Sequence, residues 1–168
     1  SGGDNASISY DENSSVAVTT VTSTDTDGSS TATYSINGGD DAADFSIDSS
    51  SGVLSFVSSP NYEDPGDDGT NNEYIVIVTV TDSESNTDSQ TLTVIVTDVN
   101  EFTPVITSNS AGSTASISFA ENNSAAVTTV TSTDEDGDTP TYSKSGTDAD
   151  DFTLGSGSGV LTFTSTPN

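Results

Sequence analysis

The chain has 168 residues and a formal net charge of −26, because it contains 27 acidic residues and a single basic one. This length allows one or two small domains. Nucleic acids and anionic membrane surfaces are bound through basic residues, so the charge excludes both as partners and leaves multivalent cations as the natural counterions. With no Cys and no His, the chain also has no disulfide and no serine or cysteine triad of the usual type.

Strand patterns follow one another along the first 100 residues. Apolar residues, mostly β-branched, alternate with polar ones, and turn-rich segments separate these stretches. Seven strands are predicted: Ala6–Tyr10, Val16–Val21, Thr33–Ile36, Phe45–Ile47, Val53–Val57, Tyr74–Thr81 and Thr91–Thr97. No helix of useful length is indicated. Seven short strands in about 100 residues predict an all-β, antiparallel β-sandwich.

The chain contains an internal repeat. Residues 8–13 recur 109 positions later, as do residues 18–28, and Phe45–Asn61 recurs as Phe152–Asn168. We therefore expect tandem domains: a complete repeat over residues 1–101, a linker over residues 102–104 and a partial repeat over residues 105–168. The partial repeat has no counterpart of the last two strands. We expect the parent chain to continue past Asn168, or a neighbouring chain to supply these strands.

Acidic residues recur at fixed places in the repeat. Glu12-Asn13 returns as Glu121-Asn122, and Asp25-Thr26-Asp27 returns as Asp134-Glu135-Asp136. An Asp-x-Asp pair before Gly is often only a solvated turn, but its repetition beside the glutamate favours a ligand function. The segment from Asp134 onward also has some likeness to an EF-hand loop, although no predicted helices flank it.

Taken in order, these motifs resemble a cadherin repeat, and they are most similar to the cadherin-like repeats of large bacterial surface proteins. The resemblance covers nearly all of the first repeat and the first part of the second. The residues that carry it are Glu12-Asn13, Asp25-Thr26-Asp27, Phe45-Ser46-Ile47-Asp48, Gly52-Val53-Leu54, Asn61-Tyr62-Glu63, Thr81-Asp82 and the linker Asp98-Val99-Asn100-Glu101-Phe102-Thr103-Pro104.

The resemblance implies which residues bind metal. In that family, the end of one repeat, the linker and the start of the next repeat together bind calcium. A central joint is thereby implied, with the ligands Glu12, Asn61, Glu63, Asp98, Asn100, Glu101, Asp134 and Asp136. The resemblance also implies an N-terminal half-joint of Asp25, Asp27 and Asp82, and a C-terminal half-joint that includes Glu121. Hard oxygen ligands in this number suit Ca²⁺, which takes six to eight oxygens.

Three positions depart from the family pattern. Asn61 stands where many members have Asp, Glu101 replaces Asp, and Phe102 replaces Asn. We therefore expect fewer calcium ions, or weaker sites, than the usual three of the family. Pro104 restricts the backbone at the end of the linker and would help calcium to stiffen the joint.

The resemblance implies a calcium-rigidified extracellular spacer or adhesion repeat of a secreted bacterial surface protein or fibre. Its partners would be adjacent repeats of the same chain and neighbouring chains. The alternative is a calcium-dependent binding module for polysaccharide or for a like repeat. Aromatic residues make up only 7% of the chain and lie mostly at core-like positions, which favours the spacer. Paired carboxylates could serve a glycosidase, but no aromatic-walled cleft is indicated and we expect no enzymatic activity. No apolar run is long enough for membrane insertion.

Overall fold

The computed structural model of the protein describes residues 5–26 and 31–168. The chain forms two compact units, which divide between Val99 and Asn100. Within the described residues, no helix is long and apolar enough to span a membrane.

The first unit is built from two sheets. Its strands are β1 (Asn5–Asp11), β2 (Thr19–Thr20), β3 (Thr33–Gly38), β4 (Phe45–Ile47), β5 (Val53–Phe56), β6 (Glu73–Thr81) and β7 (Thr87–Thr97). One sheet has the order β1-β7-β6-β3 and the other has the order β2-β5-β4. A 3-10 turn, Ala42–Asp44, precedes β4. The predicted all-β sandwich is confirmed.

Side-chain alternation in the two longest strands places the core between the sheets. Successive side chains of a strand point to opposite faces, so every second residue of β6 and β7 faces inward. These inward residues are at most 3% exposed: Tyr74, Val76, Val78, Leu92, Val94 and Val96. Phe45 and Leu54 of the smaller sheet join the same buried cluster. The Phe56 ring packs edge-on against Tyr74, with 5.1 Å between their centroids.

Strand β1 departs from the all-antiparallel expectation, because it pairs with β7 in parallel. The register runs from Asn5 opposite Thr91 to Asp11 opposite Thr97. Strands this far apart in sequence are not joined by a hairpin, so no turn forces them to be antiparallel. The parallel pairing brings the ends of β1 and β7 to the same edge of the sheet.

The second predicted strand is shorter than expected. Of Val16–Val21, only Thr19–Thr20 is a strand, and Val16 is 66% exposed. The segment still follows β5, because the amides of Val18 and Val21 donate to the carbonyls of Leu54 and Gly52 at 2.8 and 2.9 Å. The alternation of valines therefore marked a segment beside the core but overestimated its strand length.

The second unit repeats the smaller sheet of the first. Its strands are β8 (Val105–Ile106), β9 (Thr128–Thr129), β10 (Ser132–Thr133), β11 (Phe152–Leu154) and β12 (Val160–Phe163). The order β11-β12-β9 reproduces β4-β5-β2, and β8 pairs with β10. Two 3-10 turns, Asn109–Ala111 and Ala149–Asp151, complete its regular elements.

The second unit has a looser interior than the first. None of its hydrophobic side chains is buried. Phe163 still packs against Phe119 and Phe152, at 5.3 and 4.6 Å between ring centroids, as Phe56 does in the first unit. Residues 114–120 and 141–145 correspond to β1 and β3 but are not strands. In the first unit those two strands pair with β7 and β6, for which the second unit has no counterpart.

Candidate metal centre

Three segments of the first unit meet at one edge of the sandwich. Glu12 directly follows β1, and Asp98 directly follows β7. The loop between β5 and β6 contributes Asn61 and Glu63. The parallel pairing of β1 with β7 is what brings the first two residues to the same end.

Glu12 connects these segments through its buried carboxylate. The side chain is 3% exposed. Its Oε1 accepts a hydrogen bond from the Val99 amide, and its Oε2 accepts one from the Tyr62 amide, both at 2.8 Å. Its own amide donates to the Thr97 carbonyl at 3.1 Å. One side chain thus holds the β5–β6 loop against the residues that follow β7.

The side chain of Asn61 shapes the turn that carries Glu63. Its Oδ1 accepts hydrogen bonds from the amides of Glu63 at 2.8 Å and Asp64 at 3.2 Å. This is an Asx turn, in which a short polar side chain fixes the backbone that follows it. Both carboxylate oxygens of Glu63 are buried.

The carboxylates at this edge lie close together. An oxygen of Glu63 comes within 4.8 Å of an oxygen of Glu12, and within the same distance of an oxygen of Asp98. The only basic residue of the chain, Lys144, belongs to the second unit. Like charges at such distances repel, whereas clustered hard oxygens are what Ca²⁺ prefers. The donor set therefore fits a calcium ion.

The second unit brings its own predicted ligands together. The Oδ2 of Asp136 accepts from the Phe102 amide at 2.9 Å, and its Oδ1 accepts from the Glu101 amide at 3.5 Å. The amide of Asp136 donates to Asp134 Oδ1 at 3.2 Å. Asp136 thus lies against the start of the linker and beside Asp134.

Asp138 is a partner of this group that the sequence reasoning missed. The side-chain amide of Asn100 donates to its carboxylate. Asp138 extends the acidic run that begins at Asp134. Its place in that run was the available signal, but only the folded loop shows that it reaches Asn100.

The N-terminal half-joint is described in part. Asp25 and Asp82 line one cleft of about 310 Å³, together with Asp88. Asp82 also accepts hydrogen bonds from the backbone amide and the side-chain amide of Asn86, at 2.7 and 2.8 Å. The cleft lies beside the start of β7, so Asp25 and Asp82 are at the opposite end of that strand from Asp98. The remaining predicted member, Asp27, lies outside the described residues.

Glu121 differs from its counterpart Glu12, because it is exposed. The following turn is nonetheless the same in both repeats. Asn13 and Asn122 have φ values of 55° and 58°, and their amides donate to Pro60 and Pro167 at 2.9 and 2.7 Å. What Glu121 lacks is the pair of backbone donors that Tyr62 and Val99 supply to Glu12.

Two buried acids of the first unit were not predicted as functional. Asp41 is 4% exposed and Asp67 is 3% exposed. The sequence places them in turn-rich segments, where aspartate is common. Asp41 is held by long-range hydrogen bonds from the amides of Asp68 and Ile75, which have no local sequence signal. Asp67 accepts from Asn71 and Asn72 within its own loop.

The family model for the cadherin domain matches residues 5–97, which span every strand of the first unit. The chain belongs to the cadherin domain family. The match includes Glu12, Asn61 and Glu63 of the edge described above. A comparison with curated proteins found no match.

Solved cadherin structures have the same fold as this cadherin chain. The protocadherin gamma B4 extracellular domain matches 99% of it at 18% identity and a TM-score of 0.76. Mouse cadherin-23 EC22-24 matches 98% of the chain at 24% identity, with a TM-score of 0.66. Human protocadherin-24 EC1-2 matches 96% of the chain at 20% identity, with a TM-score of 0.68. The chain spans 29%, 52% and 76% of these proteins, respectively. At these identities the similarity concerns the fold.

Proposed function

We propose that this cadherin-family chain is a calcium-rigidified extracellular adhesion repeat, and that it acts as a spacer in a large bacterial surface protein. The observation that supports it best is Glu63. Its buried carboxylate is shared between Glu12 and Asp98, in a unit with no basic side chain. Such an arrangement is costly for the protein alone and favourable around a divalent cation. No part of the proposal requires a catalytic activity.

Three segments of the first repeat would supply calcium ligands: the residue after β1, the β5–β6 loop and the residue after β7. Glu12 is fixed by two backbone amides. Its Oε1 keeps a further lone pair, whereas its Oε2 also accepts from the side-chain amide of Asn13 at 3.3 Å. The Asn61 turn fixes the backbone of Glu63, and Asp98 directly follows β7. Calcium supplies positive charge at this edge, where the protein has none.

Three carboxylates reach the lower limit of six oxygens only if each binds calcium through both of its oxygens, so further ligands are needed. We assign the remaining ligands to the groups that the family resemblance implies, and Asn61 completes the set from the first repeat. From the linker and the second repeat we assign Asn100, Glu101, Asp134 and Asp136. The contacts of Asp136 with the amides of Glu101 and Phe102 support this assignment, because they keep the linker beside the Asp134 turn.

Calorimetric titration of the whole chain with CaCl₂ tests the proposal, with MgCl₂ as the ion control. We expect dissociation constants of about 10⁻⁴–10⁻³ M, the range of extracellular calcium modules, and weaker binding of magnesium. Glu63→Gln should lose at least one site. The proposal is wrong if the wild-type chain gives no calcium-dependent heat and unfolds at the same temperature in calcium and in EDTA.

The spacer function requires that calcium stiffen the connection between repeats. Small-angle scattering in calcium and in EDTA measures this, because a stiffened pair has a narrower distribution of maximum dimensions. Asp136→Ala should give the EDTA profile even in calcium. Identical profiles for the wild-type chain in both conditions would exclude the spacer mechanism while leaving calcium binding open to the calorimetric test.

A further inference from the structure

The loop between β5 and β6 carries Glu63 and has an internal support of its own. It runs from residue 57 to residue 72 and contains no strand. Thr70 and Asn72 have positive φ values of 48° and 64°. Positive φ is uncommon for residues other than glycine, although Asn adopts it more readily than the β-branched Thr, and contacts within the loop help to hold both residues there.

Asp67 supplies one such contact. Its carboxylate, 3% exposed, accepts hydrogen bonds from the amides of Asn71 at 2.9 Å and Asn72 at 3.0 Å. Its backbone carbonyl accepts a third from Thr70 at 3.1 Å. A buried carboxylate with no cationic partner is stabilised here by backbone amides alone. These bonds hold the backbone of Asn72 in its left-handed conformation.

Asp41 supplies the second contact, from outside the loop. Its two oxygens accept hydrogen bonds from the amides of Asp68 and Ile75, both at 2.7 Å. Gly39 makes this approach possible. It has a φ of 102°, and a Cβ at that position would collide with the Ile75 carbonyl oxygen. Through these two oxygens, Asp41 connects the loop at Asp68 to strand β6 at Ile75.

Asn72 connects this support to the candidate ligands. Its side-chain amide donates to the Tyr62 carbonyl at 2.9 Å, while its own carbonyl accepts from the Val96 amide at 2.9 Å. The Tyr62 amide donates to Glu12. The residue directly before Glu63 is thus held at both its amide and its carbonyl, from Glu12 on one side and from Asn72 on the other.

We propose that Asp67 and Asp41 are positioning residues for calcium: they bind no ion themselves, and they set the geometry of Glu63 through Asn72 and Tyr62. This inference rests on the proposed calcium function. Their oxygens are directed at backbone amides of the loop and of β6, which is why they act on the ligand through the backbone.

The test compares two adjacent, isosteric substitutions. Asp67→Asn replaces one acceptor oxygen with an NH₂ group that cannot accept from the Asn71 or Asn72 amide. Asp68→Asn removes the same charge from an exposed neighbour and leaves those bonds in place. In calcium titrations of the full chain, we expect Asp67→Asn to weaken binding by about 10- to 100-fold, as loss of a ligand's supporting partner does. Asp68→Asn should stay close to wild type.

A second readout does not depend on calcium. In EDTA, Asp67→Asn should shift the amide NMR resonances of Tyr62 and Glu63, and Asp68→Asn should not. If the wild-type chain binds no calcium, the proposed function fails, yet these shifts still show whether Asp67 positions Glu63. Unchanged resonances, wild-type affinity in Asp67→Asn, or equal losses in both variants would each overturn the positioning role.

Asn72→Gly covers the case in which Asp67→Asn does not fold. Glycine accepts the left-handed backbone, so only the bond from the side chain to the Tyr62 carbonyl is lost. We expect the same direction of change in calcium affinity and in the Tyr62 resonance. Wild-type values for both in Asn72→Gly would show that the connection from Asp67 to Glu63 does not exist.

Discussion

At the scale of single residues, the candidate metal centre places like charges close together. Glu63 has carboxylates of Glu12 and Asp98 within 4.8 Å. Without a cation this proximity destabilises the fold, and under the proposed function a cation would turn it into a binding site. The same side chain should therefore have opposite effects on stability in the two conditions.

We expect Glu63→Gln to raise the unfolding temperature in EDTA and to lower it in saturating calcium. The gain in EDTA comes from removed repulsion and should be on the order of 1 kcal/mol, since salt and solvent weaken the interaction. The loss in calcium comes from one fewer charged ligand. Thermal unfolding of both proteins in both buffers measures this. A change of the same sign in EDTA and in calcium would contradict it.

Asp44 gives a second prediction at this scale. Burial, followed by the nearby carboxylates of Asp41 and Asp67, raises the pKa of Asp44 above its ordinary value of 3.8. The folded state therefore favours the neutral acid. The stability that this preference contributes is present below pH 3.8 and is lost as the pH rises through the higher folded-state pKa.

Asp44→Asn, which imitates the neutral acid, should accordingly raise the unfolding temperature at pH 7. The difference from wild type should shrink on acidification and vanish below about pH 3.8. Asp40→Asn is the control, because Asp40 is an exposed aspartate of the segment just before the 3-10 turn. Thermal unfolding across this pH range decides the point, and an advantage that persists at pH 3 would refute it.

At the scale of elements, the two repeats give a direct comparison of one sequence in two settings. Ser7-Ile8-Ser9-Tyr10 lies in β1 and pairs with β7, whereas the matching Ser116-Ile117-Ser118-Phe119 is not in a strand. A strand forms only where a partner satisfies its backbone. The difference therefore comes from the partner strand and not from local propensity.

Hydrogen exchange should show this difference. The β1 amides that bond to β7 should exchange far more slowly than the corresponding amides of residues 116–119, although the intrinsic rates of the two segments are nearly equal. The comparison needs no mutation, because each segment is the control for the other. Equal protection in the two segments would mean that residues 116–119 have a partner after all.

The sequence predicted which face of a strand is buried better than it predicted which strand is its neighbour in the sheet. The alternation in β6 and β7 marked the buried side of each strand, and the buried residues Val76 and Val94 lie on it. It could not show that β1 pairs with β7 in parallel, because a period of two assigns a side chain to a face and does not choose the neighbouring strand.

The candidate site shows the same limit. Glu12 and Glu63 could be named because their motifs resemble those of a family, and the structure places them within 4.8 Å. Asp41 and Asp67 had no such signal. They look like turn residues until the fold brings the Asp68 and Asn72 amides to their carboxylates.

At the scale of the whole molecule, a net charge of −26 acts on the folded state as a uniform repulsion. With one lysine in the chain, attraction between opposite charges offsets almost none of it. Screening should therefore stabilise this protein more than it stabilises one with balanced charges.

In EDTA, the unfolding temperature should rise steadily between about 0.01 M and 0.5 M NaCl, as the Debye length falls from about 30 Å to below 8 Å. Calcium at matched ionic strength should raise it further, because it binds at specific ligands. If calcium and sodium at equal ionic strength have the same effect, the stabilisation is screening alone.

The parallel pairing of β1 with β7 also determines how the first repeat bears mechanical force. The chain enters the sheet at Asn5, at one end of the paired strands, and leaves it at Thr97, at the other. Tension on the two ends therefore pulls β1 and β7 in opposite directions along their common axis. All seven paired positions are loaded in shear at once, instead of opening one after another from an end. We therefore expect the first repeat to resist tension between its two ends better than a pair of strands that opens from one end.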